Sequence, residues 1–169
     1  VKAGATEREI STKVENFFKE KGCDKLGFSI VAMGANGADP HHDADDTVLK
    51  EGDSIVIDIG APFNHYWCDM TRTVFYKTAS EEQRKVYELV RQANEAAIAA
   101  VKPGLPLREF DLAARKVIED GGYGEYFTHR TGNSIGMKEH ETPPVASDGD
   151  VIARPGMAFS IAPGICLPG

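Results

Sequence analysis

Cysteine is scarce in this sequence, and the few copies present form no recognisable redox or metal-binding pattern. Cys23, Cys68 and Cys166 are odd in number, and none of them belongs to a C-x-x-C pair. This usage argues against a disulfide framework and against a cysteine-based zinc site. We expect reduced thiols in a reducing compartment, which predicts a cytoplasmic protein.

Positive charge and long apolar runs are also in short supply. The chain has 19 Lys and Arg residues against 26 Asp and Glu residues, a formal net charge of -7. No basic run is interleaved with aromatic residues, so we expect no nucleic-acid partner. No apolar stretch approaches the roughly 20 residues that cross a bilayer, and the N-terminus has no signal-peptide core, so we expect no membrane partner. A length of 169 residues favours one domain over residues 1–169.

Two carboxylates occur in a segment whose other residues favour burial. In IVIDIGAPFNHYWCDMTRT, residues 55–73, Asp58 lies within an apolar strand and Asp69 follows an aromatic pair. An unpaired buried carboxylate is costly, and Asp is depleted from strands. Three explanations are compatible with the spacing. The two acids act as general acid and base, they hold divalent cations, or Asp58 caps a turn while Asp69 pairs with Arg72.

The secondary structure is predicted by capping and periodicity. Thr6 and Glu9 form a capping box at the start of a helix that ends at Gly22. Strands are predicted for FSIVAM, SIVIDIG and YWCDMTRTVFY, with a hairpin turn at APFN between the last two. Ser80 and Gln83 cap a second long helix, which ends at Pro103.

The chain also repeats its own pattern. KAGATEREI at 2–10 is matched by KPGLPLREF at 102–110, and each copy leads into a helix that ends at glycine. EGDSIVIDIGAP at 51–62 is matched by RPGMAFSIAPG at 154–164. Two copies of this length are too long for a solenoid repeat and predict a pseudo-two-fold domain with one site between its halves.

The repeat assigns equivalent positions to several candidate residues. Asp58 is equivalent to Ala162, and a histidine follows the glycine-bearing loop of each half, His41 in the first and His140 in the second. We expect both histidines to flank the cleft that contains the acids. We interpret His42, His65 and His129, which match no motif, as solvated loop histidines.

Nearly the whole chain resembles the pita-bread metallopeptidases, most closely the Xaa-Pro dipeptidases and Xaa-Pro aminopeptidases. The motifs, in chain order, are TERE, GANGADPH, LKEGDSIVIDIG, DMTRT, HRTGNSIG, KEHETPP and RPGMAFSIAPGICLPG. The resemblance implies a pseudo-symmetric α/β (α+β) domain, an antiparallel sheet with helices packed on one face. It also implies two divalent metals, manganese, cobalt or zinc, and hydrolysis of the bond before proline in short proline-containing peptides.

The same resemblance implies roles for individual residues. Asp58 would be a metal ligand, and Asp69 would bridge both ions, with Thr71 orienting Asp69 as a hydrogen-bond donor. His41 and His140 would contact substrate and stabilise the tetrahedral intermediate. A homodimer is left open.

The chain departs from the family pattern at two ligand positions. The family's T-G-H-G-I-G loop reads TGNSIG here, with Asn133 in place of the histidine ligand. The family's I-E-P-G strand reads IAPG, with Ala162 in place of the glutamate ligand. The family also has segments before Val1 and after the last residue, so the resemblance implies a catalytic-type domain trimmed at both ends.

The departures lead to three alternative functions. An amide oxygen is a weaker ligand than imidazole for transition metals, and Ala162 offers no ligand atom, so we expect weak, partial or absent metal occupancy. The chain is then a Xaa-Pro peptidase by ancestry with weak or no activity. The alternatives are a metal-free module that binds peptides or proteins, and a creatinase-like hydrolase that uses a histidine without metal.

Overall fold

The computed structural model describes residues 2–168, which divide into two compact units. The first unit holds the described residues up to Arg84 together with Leu167 and Pro168, and the second runs from Lys85 to Cys166. Both units combine helices with antiparallel strands, so the α+β class predicted from the sequence is confirmed. Within the described residues, no helix is both long enough and apolar enough to cross a membrane.

A three-stranded antiparallel sheet forms the centre of the first unit. Strands β1 (Phe28–Met33), β2 (Ser54–Phe63) and β3 (Tyr66–Phe75) lie in that order. Helix α1 (Glu7–Glu20) begins with the predicted capping box and packs against β1. Burial of its apolar face stabilises the unit, because each buried aliphatic side chain contributes about 1.5–3 kcal/mol. The buried cluster consists of Ala5, Ile10, Val31, Met33, Leu49 and Ile55.

The hairpin between β2 and β3 turns two residues later than the sequence predicts. Asn64 and His65 have φ values of 50° and 70°, which define a two-residue turn, and β2 therefore continues through the predicted turn at APFN to Phe63. Pro62 is tolerated because it lies past the end of β1, where β2 has only one neighbouring strand. The carboxylate of Asp24 accepts the backbone N–H groups of both turn residues, at 3.2 and 2.6 Å.

The second unit contains most of helix α2 (Glu81–Ala100), helix α3 (Arg108–Asp120) and the short antiparallel pair β4 (Gly132–Ser134) and β5 (Glu141–Val145). The two helices bury small and apolar side chains. That cluster consists of Ala93, Ala97, Ala114, Ile118 and Phe127.

The repeat predicts that residues 154–164 form a strand like β2, and this prediction is only partly correct. The segment makes an isolated bridge between Phe159 and Ser134, and it donates the N–H groups of Ser160 and Ala162 to the carbonyls of Asn133 and Thr131.

Candidate metal centre and its supporting residues

The two sequence-predicted aspartates lie on the same face of the first unit's sheet. Asp58 on β2 is directly opposite Thr71 on β3, and Asp69 precedes Thr71 by two residues. Side chains directly opposite each other, and side chains two residues apart on one strand, point to the same face. The aspartates are therefore diagonal neighbours. Such pairs have Cα atoms about 7–8 Å apart, close enough for two carboxylates to converge on one cation.

The hydrogen bonding of these aspartates differs from the prediction. The Thr71 hydroxyl donates to Asp58 Oδ1 at 2.8 Å, whereas the sequence interpretation assigned it to Asp69. Asp69 is half-buried, and no donor among the described residues contacts its carboxylate. A half-buried carboxylate without a donor is the kind of group that a cation stabilises.

The explanation in which Asp58 caps a turn and Asp69 pairs with Arg72 is wrong. Asp58 lies in the middle of β2 and caps no turn, and within the described residues no ion pair joins Asp69 to Arg72. Residues three apart on a strand point to opposite faces, so Arg72 is exposed on the other side, where its guanidinium donates to the Thr71 carbonyl at 2.7 Å.

His41 is carried by an exposed turn in the loop after β1. Its backbone N–H donates to Asp39 Oδ1 at 2.9 Å, which fixes the turn and leaves the imidazole exposed. This exposure is compatible with a histidine that contacts a substrate, and the catalytic role stays a prediction.

Glu7 is a buried carboxylate that the sequence interpretation missed. It is fully buried, and its two oxygens accept four N–H donors. The donors are the backbone of Met33 at 2.7 Å, Asn36 Nδ2 at 3.0 Å, His42 Nε2 at 2.6 Å and the backbone of Asp45 at 3.1 Å. Glu7 therefore ties helix α1 to backbone on both sides of His41, at Met33 and at Asp45. A signal was present, because Glu7 precedes Ile10 by three residues and so lies on the apolar face of the helix.

The same contacts correct the interpretation of His42. Its side chain is only 14% exposed and is hydrogen-bonded to Glu7, so it is not a solvated loop histidine. His129 is also ordered by contacts, since Nδ1 lies 2.8 Å from the Arg130 carbonyl oxygen and the ring packs edge-on against Phe127. His65 is exposed as predicted.

Glu7, His42 and Asp45 place one potential ligand atom each within 4.8 Å of one another. The chemistry of this cluster favours a hydrogen-bond hub over a metal site. The lone pairs of Glu7 already face N–H groups, including two backbone amides that cannot turn away. The Thr47 side-chain hydroxyl is the main cause that holds the pKa of the Asp45 carboxyl below its usual range, and the Thr47 backbone N–H, which donates to Asp45 at 2.7 Å, adds to the effect.

The second unit contains Asn133, on β4, which the family resemblance assigns to a ligand position. Its side-chain Nδ2 donates to the carbonyls of Ser134 and Glu139, at 3.1 and 3.2 Å. Only Oδ1 is left as a candidate ligand atom, and a neutral amide oxygen suits hard cations better than late transition metals. Ala162 has no ligand atom. His140 is exposed, with Nδ1 3.9 Å from the Glu139 carboxylate.

A second buried acid, Asp111, was also missed. It is fully buried on α3, pairs with Arg115 at 2.9 Å, and accepts the backbone N–H of Thr131 at 2.9 Å. Arg115 donates in turn to the carbonyls of Phe127 and His129. Each unit therefore has a buried acid on a helix that accepts the backbone N–H of the residue directly before a loop glycine. Glu7 accepts from Met33 in the first unit, and Asp111 accepts from Thr131 in the second.

The α+β units, the repeated motifs and the paired sheet aspartates define the class of pita-bread proteins, and the comparisons with known proteins agree. The profile described as "Metallopeptidase family M24" matches residues 1–169. The chain belongs to the M24 metallopeptidase family and has its pita-bread fold. Members of this family generally bind divalent metals.

Individual relatives are similar at about 40% identity. A Xaa-Pro dipeptidase from Pyrococcus furiosus is 41% identical over 166 residues, which are 98% of this chain and 48% of the relative. The prolidase structure from that organism has a TM-score of 0.97 at 40% identity and covers 99% of this chain and 50% of its own. An X-Pro aminopeptidase structure from Thermotoga maritima has a TM-score of 0.96 at 38% identity. The chain spans about half the length of the relatives it matches.

The residues present do not fit a closed site for two transition-metal ions. Asp58 and Asp69 supply carboxylate oxygens, but Asn133 offers one amide oxygen and Ala162 offers nothing. Taken together, two carboxylates, one neutral amide and one alanine supply fewer and weaker donor groups than the ligand set that the resemblance implies.

Proposed function

We propose that this chain is a Xaa-Pro peptidase-type hydrolase by ancestry whose metal site is impaired, so that it cleaves the bond before proline weakly or not at all. The observation that carries the proposal is the placement of Asp58 and Asp69 on one face of the sheet, with Thr71 bonded to Asp58. Relatives named Xaa-Pro dipeptidase support the substrate class, short proline-containing peptides.

The proposed roles follow the residues that remain. Asp58 and Asp69 hold one hard divalent cation with several water ligands, and manganese is among the cations that suit this oxygen-rich set. His41 and His140, both exposed, contact the peptide. The proposal places the chain in the cytoplasm, since its cysteines are free.

Manganese titration of the purified chain tests the proposal. Isothermal calorimetry should show weak binding, Asp69→Asn should abolish it, and Asp148→Asn should leave it unchanged because that acid is exposed and outside the site. A parallel assay measures cleavage of a Xaa-Pro dipeptide with added manganese. Tight stoichiometric binding accompanied by turnover would refute the impaired site.

Restoration of the lost ligands is the complementary test. The double variant Asn133→His with Ala162→Glu adds one imidazole and one carboxylate, so manganese affinity should rise by at least ten-fold. An unchanged affinity would contradict the placement of these positions at the metal centre.

A second candidate function is metal-free binding of proline-containing peptides. It is favoured by Ala162, which removes a ligand atom without adding a catalytic group. Titration of a Xaa-Pro-containing peptide into chelator-treated chain would show saturable binding under this alternative, and no binding would eliminate it.

A further inference from the structure

The hydroxyl of Thr131 is buried without a hydrogen-bond partner. Thr131 is fully buried, and its Oγ1 is the one buried side-chain polar atom without a partner among the residues that the structure describes. Its backbone groups are both satisfied, by the Asp111 carboxylate and by the N–H of Ala162. Burying an unsatisfied hydroxyl is unfavourable, so such a group needs an explanation.

The backbone register shows what lies beside this hydroxyl. Ala162 donates its N–H to the Thr131 carbonyl at 2.6 Å, and the neighbouring bridge pairs Ser134 with Phe159 in antiparallel register. Three residues before Ser134 on one strand and three residues after Phe159 on the other, Thr131 lies directly opposite Ala162. Side chains that are directly opposite share a face, with Cβ atoms about 4.5–5.5 Å apart.

The first unit shows what a threonine does in this arrangement. Thr71 is directly opposite Asp58, and its hydroxyl donates to the Asp58 carboxylate at 2.8 Å. The sequence repeat makes Asp58 equivalent to Ala162. In the first unit, Ile30 of β1 lies opposite Asp58 on the side away from Thr71. Thr131 lies beside Ala162 on the side that corresponds to Ile30. The two threonines therefore offer the same hydroxyl group from different strands.

We infer that Thr131 is a positioning residue whose hydroxyl donates to a carboxylate side chain at position 162, and that the alanine there has left this donor unsatisfied. The inference rests on the proposed function, because a carboxylate at position 162 is one of its lost metal ligands. The hydroxyl would restrict the rotamer of that carboxylate and direct its remaining lone pairs to a cation, as supporting hydrogen bonds do in metal sites.

A double-mutant cycle over Thr131→Val and Ala162→Glu tests the inference by urea unfolding. In the present chain Thr131→Val removes an unsatisfied hydroxyl from a site of the same shape, so the midpoint should rise. In the Ala162→Glu background the same change removes a hydrogen bond, so the midpoint should fall. We expect the two effects to differ by about ten-fold in the unfolding equilibrium constant, or about 1.4 kcal/mol.

Further variants keep the cycle interpretable. Ala162→Gln offers a neutral acceptor and replaces Ala162→Glu if the added charge prevents folding. Thr131→Ser retains the hydroxyl, so Ala162→Glu should shift the urea midpoint in the same direction in this variant as in the parent. The exposed Thr128→Val should change the midpoint equally in both backgrounds. Equal effects of Thr131→Val in both backgrounds would overturn the inference.

Manganese binding distinguishes this inference from the proposed function. With Asn133→His and Ala162→Glu in place, Thr131→Val should weaken manganese affinity about ten-fold. Coupling in the unfolding cycle without any manganese binding would refute the proposed function and support the role of Thr131. Manganese binding that is indifferent to Thr131→Val would refute its positioning role.

Discussion

Replacement of Glu7 by Gln should destabilise the first unit. The carboxylate accepts four N–H donors, two on each oxygen. An amide retains one accepting oxygen and presents an NH2 group to the donors at the other. The His42 ring nitrogen can accept from that NH2 group in its other tautomer, but a backbone N–H such as that of Asp45 cannot, and it is left unsatisfied. At about 1–3 kcal/mol for an unsatisfied buried group, the free energy of unfolding should fall by about 1–3 kcal/mol.

Urea unfolding followed by tryptophan fluorescence measures this change. The chain has a single tryptophan, Trp67, which lies on β3 in the same unit as Glu7 and therefore reports its unfolding. Glu9→Gln is the matched control. It removes the same charge from the same helical turn, so any effect on the helix dipole cancels, and Gln also completes a capping box.

The control should change the free energy of unfolding by less than about 0.5 kcal/mol. If Glu7→Gln is equally mild, the buried hub does not hold the loop after β1, and the reasoning from its four hydrogen bonds is refuted. A large loss confirms that the loop carrying His41 is anchored from helix α1.

Three further changes test other contacts. Gly60→Ala should destabilise by more than about 2 kcal/mol in urea unfolding, because the added Cβ would lie 2.6 Å from the Cys68 carbonyl oxygen. Asp111→Asn should lower thermal stability, since it leaves the partly buried guanidinium of Arg115 without its charge partner. Hydrogen bonding by Arg91 lowers the pKa of Glu88 from 4.5 to about 2. The stability that Glu88 adds relative to Glu88→Gln is therefore present above pH 4.5, and it disappears as the pH falls to about 2.

Each of these has a matched control. Gly37→Ala meets only ordinary contacts, the nearest at 3.6 Å, and should be tolerated. Asp120→Asn breaks an exposed ion pair on the same helix as Asp111 and should have little effect. Glu125→Gln lies on the exposed surface and should show no comparable dependence between pH 4.5 and 2. If a variant and its control change stability equally, the contact on which that prediction rests does not have the effect assigned to it.

Much of the fold could be predicted because its signals are local. The capping boxes at Thr6 and Ser80 formed as predicted, β1 spans the predicted residues, and Gly22 has the positive φ expected at a helix end. A cap depends on side chains three residues apart, and a strand pattern depends on alternation, so both can be read without knowledge of the rest of the chain.

The sequence by itself also determined the family and the candidate acids, because Asp58 and Asp69 stand out against an apolar segment. Only the tertiary structure decided which polar groups meet. Glu7 and Met33 are 26 residues apart, and Thr131 and Ala162 are 31 positions apart in the numbering, so their contacts depend on how distant strands pair. Hydrogen bonds to buried groups require atoms within about 3 Å, and no local pattern specifies that approach.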